Sequence, residues 1–360
     1  MKKTLALLLS GVLFASAMAG CSSGSATMTD PGSKPDVEAA KQEGKYVTYG
    51  QPDDWANWKG VFASFDSLYG ITRVDTDMSS SEEITKFKAE LHNPQADSAD
   101  IGMSWGPIAI SEGVTMAYKN ANWDKIPDWA KDPDGNWFGT YVGVPVLLVN
   151  TDLVKDVPTS WEDLKKPEYK DCVVMSDPRT SGSGINAVLA VDYALGGDIQ
   201  NLDVGIAYFA ELERLGNIKK IDGSSANIQK GEVPIMIEYD FLALGHKRSF
   251  DGEVNLQIVM PKEGSIYAPS ALMLNKWAPQ PNLAKLFADF ISSDEGQLEL
   301  AKSGALPIRY VAGNLTIPQD IKDMMLPADF YSVNIDKPNN WTAVTPDIIA
   351  ERWDAEVAGQ

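Results

Sequence analysis

The chain has 360 residues, length for about two domains at roughly 100–200 residues each. Its 44% apolar and 22% charged residues exclude a disordered chain and a polytopic membrane protein, and its formal charge of −19 repels phosphate backbones, which excludes general nucleic-acid binding. A local anion site stays open, because short-range donors outweigh a screened distant field, whereas two histidines (His92, His246) and two cysteines (Cys21, Cys172) are too few for a zinc centre or a disulfide framework.

Residues 1–20 read as a signal peptide: Lys2-Lys3, then an apolar run from Leu5 to Ala19 that is too short for a transmembrane helix. Residues 22–36 are a Gly/Ser/Pro linker. Beyond it, short apolar runs alternate with amphipathic segments, which predicts an α/β fold. Lys45–Tyr49 predicts a strand. Trp58–Tyr69 predicts a helix, with Val61, Phe62, Phe65, Leu68 and Tyr69 on one face. Ile71–Thr76 predicts a strand, Ser79–Leu91 a Ser-capped helix, and Asp100–Ser104 a third strand. Tyr141–Asn150 reads as one longer strand whose internal Pro145 belongs at an edge, a bend or a crossing.

The pattern then restarts. Thr159 and Glu162 have the spacing of a capping box. Cys172–Ser176 is a strand with Cys172 buried in it, and Gly184–Leu195 and Val204–Leu215 are helices. Strands follow at Val233–Ile237, Leu256–Met260 and Ala271–Leu274, and a strong helix at Leu283–Ile291.

Four stretches carry candidate chemistry. Asp177–Gly184 joins a strand to a helix and puts Thr180, Ser181 and Ser183 hydroxyls with Gly182 at the helix start, where free amides and the dipole favour an anion; a plain Ser-capped turn is the other reading. Gly182-x-Gly184-x-x-Ala187 also fits a dinucleotide fingerprint, but five residues separate it from its strand and it does not open the domain. Gly50–Trp58 offers Asp53, Asp54 and Trp55 in a strand-to-helix loop, and Ser104-Trp105 lies just past another strand. Glu238-Tyr239-Asp240 ends a strand. Tyr239 and Asp240 suit a hydroxyl or ammonium group, while Glu238 with Asp240 as a carboxylate pair is the enzyme alternative, a secreted hydrolase. Trp123, Trp129 and Trp137 read as packing, and His246 beside Lys247-Arg248 as a solvated face.

In this order the pieces resemble the extracellular solute-binding proteins of bacterial ABC importers. The branch in question contains ferric-iron, polyamine, thiamine, phosphonate and hexose-phosphate binders. The resemblance spans about residues 37–330. It rests on Asp100–Ser104 with Glu112-Gly113, Gly143–Asn150, Pro158–Leu164, Asp177–Gly184, Lys230–Pro234, Pro261–Gly264 and Leu306-Pro307. Ala17–Cys21 likewise resembles the bacterial lipobox, which implies a lipidated Cys21; plain secretory cleavage after Ala19 or Gly20 is the alternative.

The resemblance implies a two-lobed periplasmic-binding-protein fold of type II. Lobe one would be 37–145 plus 268–360 and lobe two 146–267, with the ligand in the cleft between them. It implies an exported, lipid-anchored monomer that is not an enzyme and has no cofactor or resident metal. Its partners would be a small solute, a permease and the permease's ATPase. The site set it implies is Asp53, Trp55, Ser104, Trp105, Thr180, Ser181, Gly182, Ser183, Ser225, Tyr239, Asp240, Tyr267 and Ala268. The leading solute is a phosphate- or phosphonate-bearing anion, with a polyamine- or thiamine-type cation or ferric iron as the alternative. Iron binders of the branch use adjacent tyrosines, where this chain has only Tyr239.

Overall fold

The computed structural model describes residues 33–198, 201–336 and 346–358, so the expected signal peptide, Cys21 and most of the linker lie outside the described residues. Asp36 caps α1 (Val37–Glu43), accepting from the Glu38 and Ala39 amides at 3.0 Å. β1 (Lys45–Tyr49), α2 (Trp58–Tyr69), β2 (Thr72–Thr76), α3 (Ser80–Ala89) and β3 (Ser98–Gly102) follow in the expected order. After α4 (Gly106–Ser111) the expected long strand is two: β4 (Phe138–Gly143) and β5 (Pro145–Asn150).

The break has a local cause. β4 pairs with the first sheet, and β5, starting at a proline that cannot donate to a ladder, pairs with the second. Between them the Val144 amide donates to the Asp240 carboxylate at 2.9 Å. Gly143 is needed at this junction because a Cβ there would lie 2.6 Å from the Tyr239 ring.

The second half contains β6 (Val173–Met175), α5 (Gly182–Ala194), α6 (Asp203–Leu215), α7 (Ser225–Gln229), β7 (Ile235–Tyr239), α8 (Asp240–Ser249) and β8 (Leu256–Val259). β9 (Ser265–Ile266) and β10 (Ala268–Leu274) lead back, followed by α9 (Pro281–Ile291), α10 (Asp294–Ala301), β11 (Leu306–Pro307) and β12 (Ile335–Asp336). Six strands form one mixed sheet in the order β11-β4-β10-β3-β1-β2, and four form another in the order β6-β7-β5-β8. The crossings are tied together, since Ser265 donates its hydroxyl to the Pro145 carbonyl at 2.8 Å and β12 pairs with β9.

Each sheet buries its own apolar faces. Tyr46 of β1, Phe62 and Phe65 of α2 and Phe287 of α9 make one aromatic cluster, with Phe62 and Phe287 stacked at 4.7 Å. Val146, Leu148, Val174 and Met236 pack with Ala243 of α8 and with Phe250, which caps that helix. The helix α8 was not expected. Its run His246-Lys247-Arg248 reads as a solvated face, while Phe241, Ala243 and Leu244 are buried and hold the helix on the sheet.

Other local expectations also change. The Thr159 amide goes to Asp163 at 2.9 Å rather than into a box with Glu162, and a 3-10 turn (Glu162–Lys165) stands there. Cys172 precedes β6 and is half-buried. Residues 346–358, expected in lobe one, lie on α6: Trp353 packs on Phe209 with ring centroids 5.6 Å apart.

Candidate functional site

A cavity of about 410 Å³ opens between the two sheets, at the carboxyl ends of β1 and β3 and the start of α5. Trp55, Asp77, Ser79, Ser80, Asp100 and Gly102 line it from the first sheet, and Ser176, Ser181, Gly182, Ser183 and Tyr239 from the second; Gly50, Pro52, Met78, Glu82 and Ser270 complete it. This is the crevice where open α/β sheets present helix starts and loops to ligands.

The second-sheet wall is a hydroxyl and amide surface. α5 starts at Gly182, and Ser181 at its cap position makes no side-chain cap bond; the start of a helix is where backbone amides and the dipole favour an anion. The Tyr239 hydroxyl accepts from Asn186 at 2.7 Å, and burial pushes its pKa up to about 12, so it stays a neutral phenol.

The first-sheet wall adds carboxylates. Asp100 accepts from the Tyr141 hydroxyl at 2.5 Å through Oδ2, and the Trp58 indole N–H also pulls on its carboxylate. Burial pushes the Asp100 carboxyl up to about 8, against the pull of the Tyr141 bond. Asp77 at the rim is also raised, by burial and then by the charges of Asp75, Asp54 and Glu82. Glu82 is lowered, because its carboxylate accepts from the Ser79 amide and hydroxyl, both at 2.8 Å. No Lys or Arg lines the cavity among the described residues, and no three His, Cys, Asp or Glu side chains converge as a metal requires.

The two walls touch. A Cβ on Gly182 would lie 3.2 Å from the Gly102 Cα, and the Ser81 hydroxyl donates to the Thr180 carbonyl at 3.4 Å. Trp55 donates its indole N–H to the Tyr141 hydroxyl at 2.6 Å and sets its ring edge-on to Tyr239 and Phe241. These contacts describe a closed cleft.

Of the expected site residues, Trp55, Ser181, Gly182, Ser183 and Tyr239 line this cavity and the others do not. Asp53 is exposed and paired with Arg73. Ser104 and Trp105 are buried in a 3-10 turn after β3. Thr180 is exposed and offers its carbonyl to Ser81. Ser225 bonds His246 at 3.0 Å. Asp240 is consumed by the Val144 and Phe241 amides and by the Tyr331 hydroxyl, and burial pushes its carboxyl up to about 6. Tyr267 lines a different cavity with Tyr310 and Tyr331, and Ala268 is a buried ladder residue opposite Gly143.

The carboxylate pair weighed for an enzyme is also split. Glu238 faces His246 at 3.2 Å, which takes His246 off the solvated face expected for it. Sequence reasoning missed Asp77, Ser80, Asp100 and Ser176. The available signal was position for three of them: Asp77 and Ser176 stand just past a strand and Ser80 opens a helix, whereas Asp100 lies inside β3 and gave no such signal.

The comparisons with known proteins agree with this geometry. Residues 97–334 match the family model described as bacterial extracellular solute-binding protein. An uncharacterized protein of Haemophilus influenzae is 30% identical over 253 residues, covering 66% of this chain and 70% of that one. A Salmonella typhimurium periplasmic protein named for binding 2-aminoethylphosphonate is 24% identical over 323 residues, 86% of this chain and 90% of that one. Among solved structures, the periplasmic binding protein AfuA of Actinobacillus pleuropneumoniae, with fructose-6-phosphate bound, superposes with a TM-score of 0.73 at 23% identity, covering 87% of this chain and 98% of that one. The ferric binding protein of Campylobacter jejuni gives 0.64 at 20% identity, covering 86% and 98%. The fold is that of the type II periplasmic binding proteins, and the chain belongs to the bacterial extracellular solute-binding proteins, a family of ABC-importer components.

Proposed function

We propose that the protein captures a small zwitterion bearing a phosphonate or phosphate group and an ammonium group, and delivers it to a membrane permease and its ATPase. The observation that carries this reading is the make-up of the cavity wall. Serine hydroxyls and the start of α5 lie on one side, and the Asp77 and Asp100 carboxylates on the other, with no Lys or Arg among the described lining residues. A bare dianion would meet the Asp77 carboxylate, and Asp100 wherever it ionises, with no cation to balance them, whereas an ammonium group on the ligand supplies that cation and favours the ionised Asp100.

In this reading Ser181, Ser183 and the first-turn amides of α5 hold the anion. Asp100 and Asp77 hold the ammonium, and Trp55 and Tyr239 wall the cleft. The similarity to the relative named for 2-aminoethylphosphonate supports it. No bond is made or broken, and hinge closure at the crossings near Pro145 and Tyr267 traps the solute. The lobes would be 37–145 with 268–336, and 146–267 with the C-terminal turn. A lipid on Cys21 would hold the monomer to the cell envelope. A polyamine is the second reading, favoured by the same carboxylates beside Trp55 and Tyr239.

The test is a thermal-shift screen on refolded protein with 2-aminoethylphosphonate, methylphosphonate, ethanolamine, spermidine, fructose 6-phosphate and ferric citrate. Ligand at about 100 times its Kd adds roughly 2.7 kcal/mol, so 2-aminoethylphosphonate gives the largest rise. Ser181→Ala/Ser183→Ala abolishes that rise and leaves the ligand-free melt in place, since hydrogen bonds to charged groups contribute roughly 1.5–3 kcal/mol each. A rise with spermidine or ferric citrate alone overturns the reading.

A further inference from the structure

We propose that the C-terminal turn positions the ligand loop: Asp354, carried on α6 by Trp353, holds Arg179 and with it the connection from Ser176 to Ser181. The inference rests on the reading of Ser181 and Ser183 as the anion-holding residues. Both ends of this connection line the cavity, whereas Arg179 between them does not. Its guanidinium is occupied on two sides. Nε and Nη2 donate to the Asp177 carboxylate at 2.9 and 2.5 Å, and Nη1 donates to Asp354 at 2.6 Å. A guanidinium fork has fixed geometry, so two carboxylates in different directions fix its plane and the backbone that carries it.

That backbone is already a tight turn, in which the Asp177 carbonyl accepts from the Thr180 and Ser181 amides at 3.3 and 2.9 Å. The same turn presents the Thr180 carbonyl to Ser81 across the cleft. The contact therefore runs from the C-terminus through Arg179 and Thr180 to the start of α3.

The turn that supplies Asp354 is itself anchored. Trp353 is 7% exposed, its ring packs on Phe209, and Arg352 pairs with Asp203 at 2.9 Å and Glu356 at 2.8 Å. Residues 346–358 lie beyond the stretch that the family model matches, 97–334. Asp354 is therefore a positioning residue: it touches no cavity atom and acts on the ligand through Arg179.

The experiment compares Asp354→Asn and Asp354→Glu in the otherwise unchanged protein. Asp354 is exposed, so neither variant threatens folding. Hydrogen exchange without ligand is followed on peptides covering 177–186 and, as control, 58–69. Asp354→Asn speeds exchange in 177–186 only, and Asp354→Glu restores it. Affinity for 2-aminoethylphosphonate, by calorimetry, falls about two- to fivefold in Asp354→Asn, in line with the value of an exposed ion pair. Unchanged exchange at 177–186, equal acceleration in both peptides, or no rescue by Glu overturns the proposal. If the unmodified protein does not bind 2-aminoethylphosphonate, the solute reading fails while the exchange data still decide the clamp.

Discussion

Where the two walls of the cleft meet, glycine faces glycine, which makes Gly182→Ala a sharp test of closure. A Cβ on residue 182 would meet the Gly102 Cα at 3.2 Å, the Gly102 nitrogen at 3.7 Å and the Ser80 hydroxyl at 3.8 Å. Carbon pairs prefer about 3.5–4.0 Å, so the lobes must separate by a few tenths of an ångström, and backbone on the opposing side gives little. Overpacking of this kind costs about 1–3 kcal/mol, which is a roughly five- to 150-fold loss of affinity. Stability moves the other way, because Ala in a helix is favoured over Gly by roughly 0.5–1 kcal/mol and Gly182 opens α5. Calorimetry with 2-aminoethylphosphonate, with small-angle scattering of the bound state, reads the first effect, and thermal denaturation without ligand reads the second. Weaker binding, a less compact bound state and an undiminished melt are expected together. Unchanged affinity would refute the reasoning, because the two glycines would then not meet in the ligand-bound form.

Two further outcomes follow from the same geometry. Burial pushes the Asp100 carboxyl up to about 8, and an ammonium ligand favours its ionised form. Affinity for 2-aminoethylphosphonate therefore rises with pH up to about 8, by up to about tenfold per unit. Calorimetry in buffers of different ionisation enthalpy shows proton release at pH 7; Asp100→Asn flattens the slope, and an equal slope in the variant refutes the assignment. Phe287 is fully buried between Tyr46, Phe62 and Phe65, so Phe287→Ala lowers stability by about 3–5 kcal/mol in urea denaturation. A loss below about 1 kcal/mol, the scale of a surface change, contradicts the packing described.

Local order along the chain was legible in the sequence, because periodicity and punctuation are local. β1 and α2 fall where alternation and the Phe62/Phe65 face put them, and Pro145 marked the crossing. Ser181 and Ser183, legible as hydroxyls at a helix start, line the cavity. What stayed hidden depends on which way a side chain turns once strands pair. Asp53 and Asp240 have the right chemistry for a ligand, but Arg73 takes one, and the Val144 amide with Tyr331 takes the other. Asp100 looked like a strand residue, and only the pairing of β3 in the sheet brings it into the cavity wall with the Tyr141 hydroxyl of β4 on its carboxylate. The C-terminal turn was expected in lobe one, but Trp353 finds its place through a contact with Phe209 of α6, which its own composition does not encode. Sequence alone thus determined most of the elements in their order, the crossing at Pro145 and the family. Tertiary structure decided which polar groups are consumed by the fold and which are left for a solute, because partners distant in sequence satisfy buried donors and acceptors.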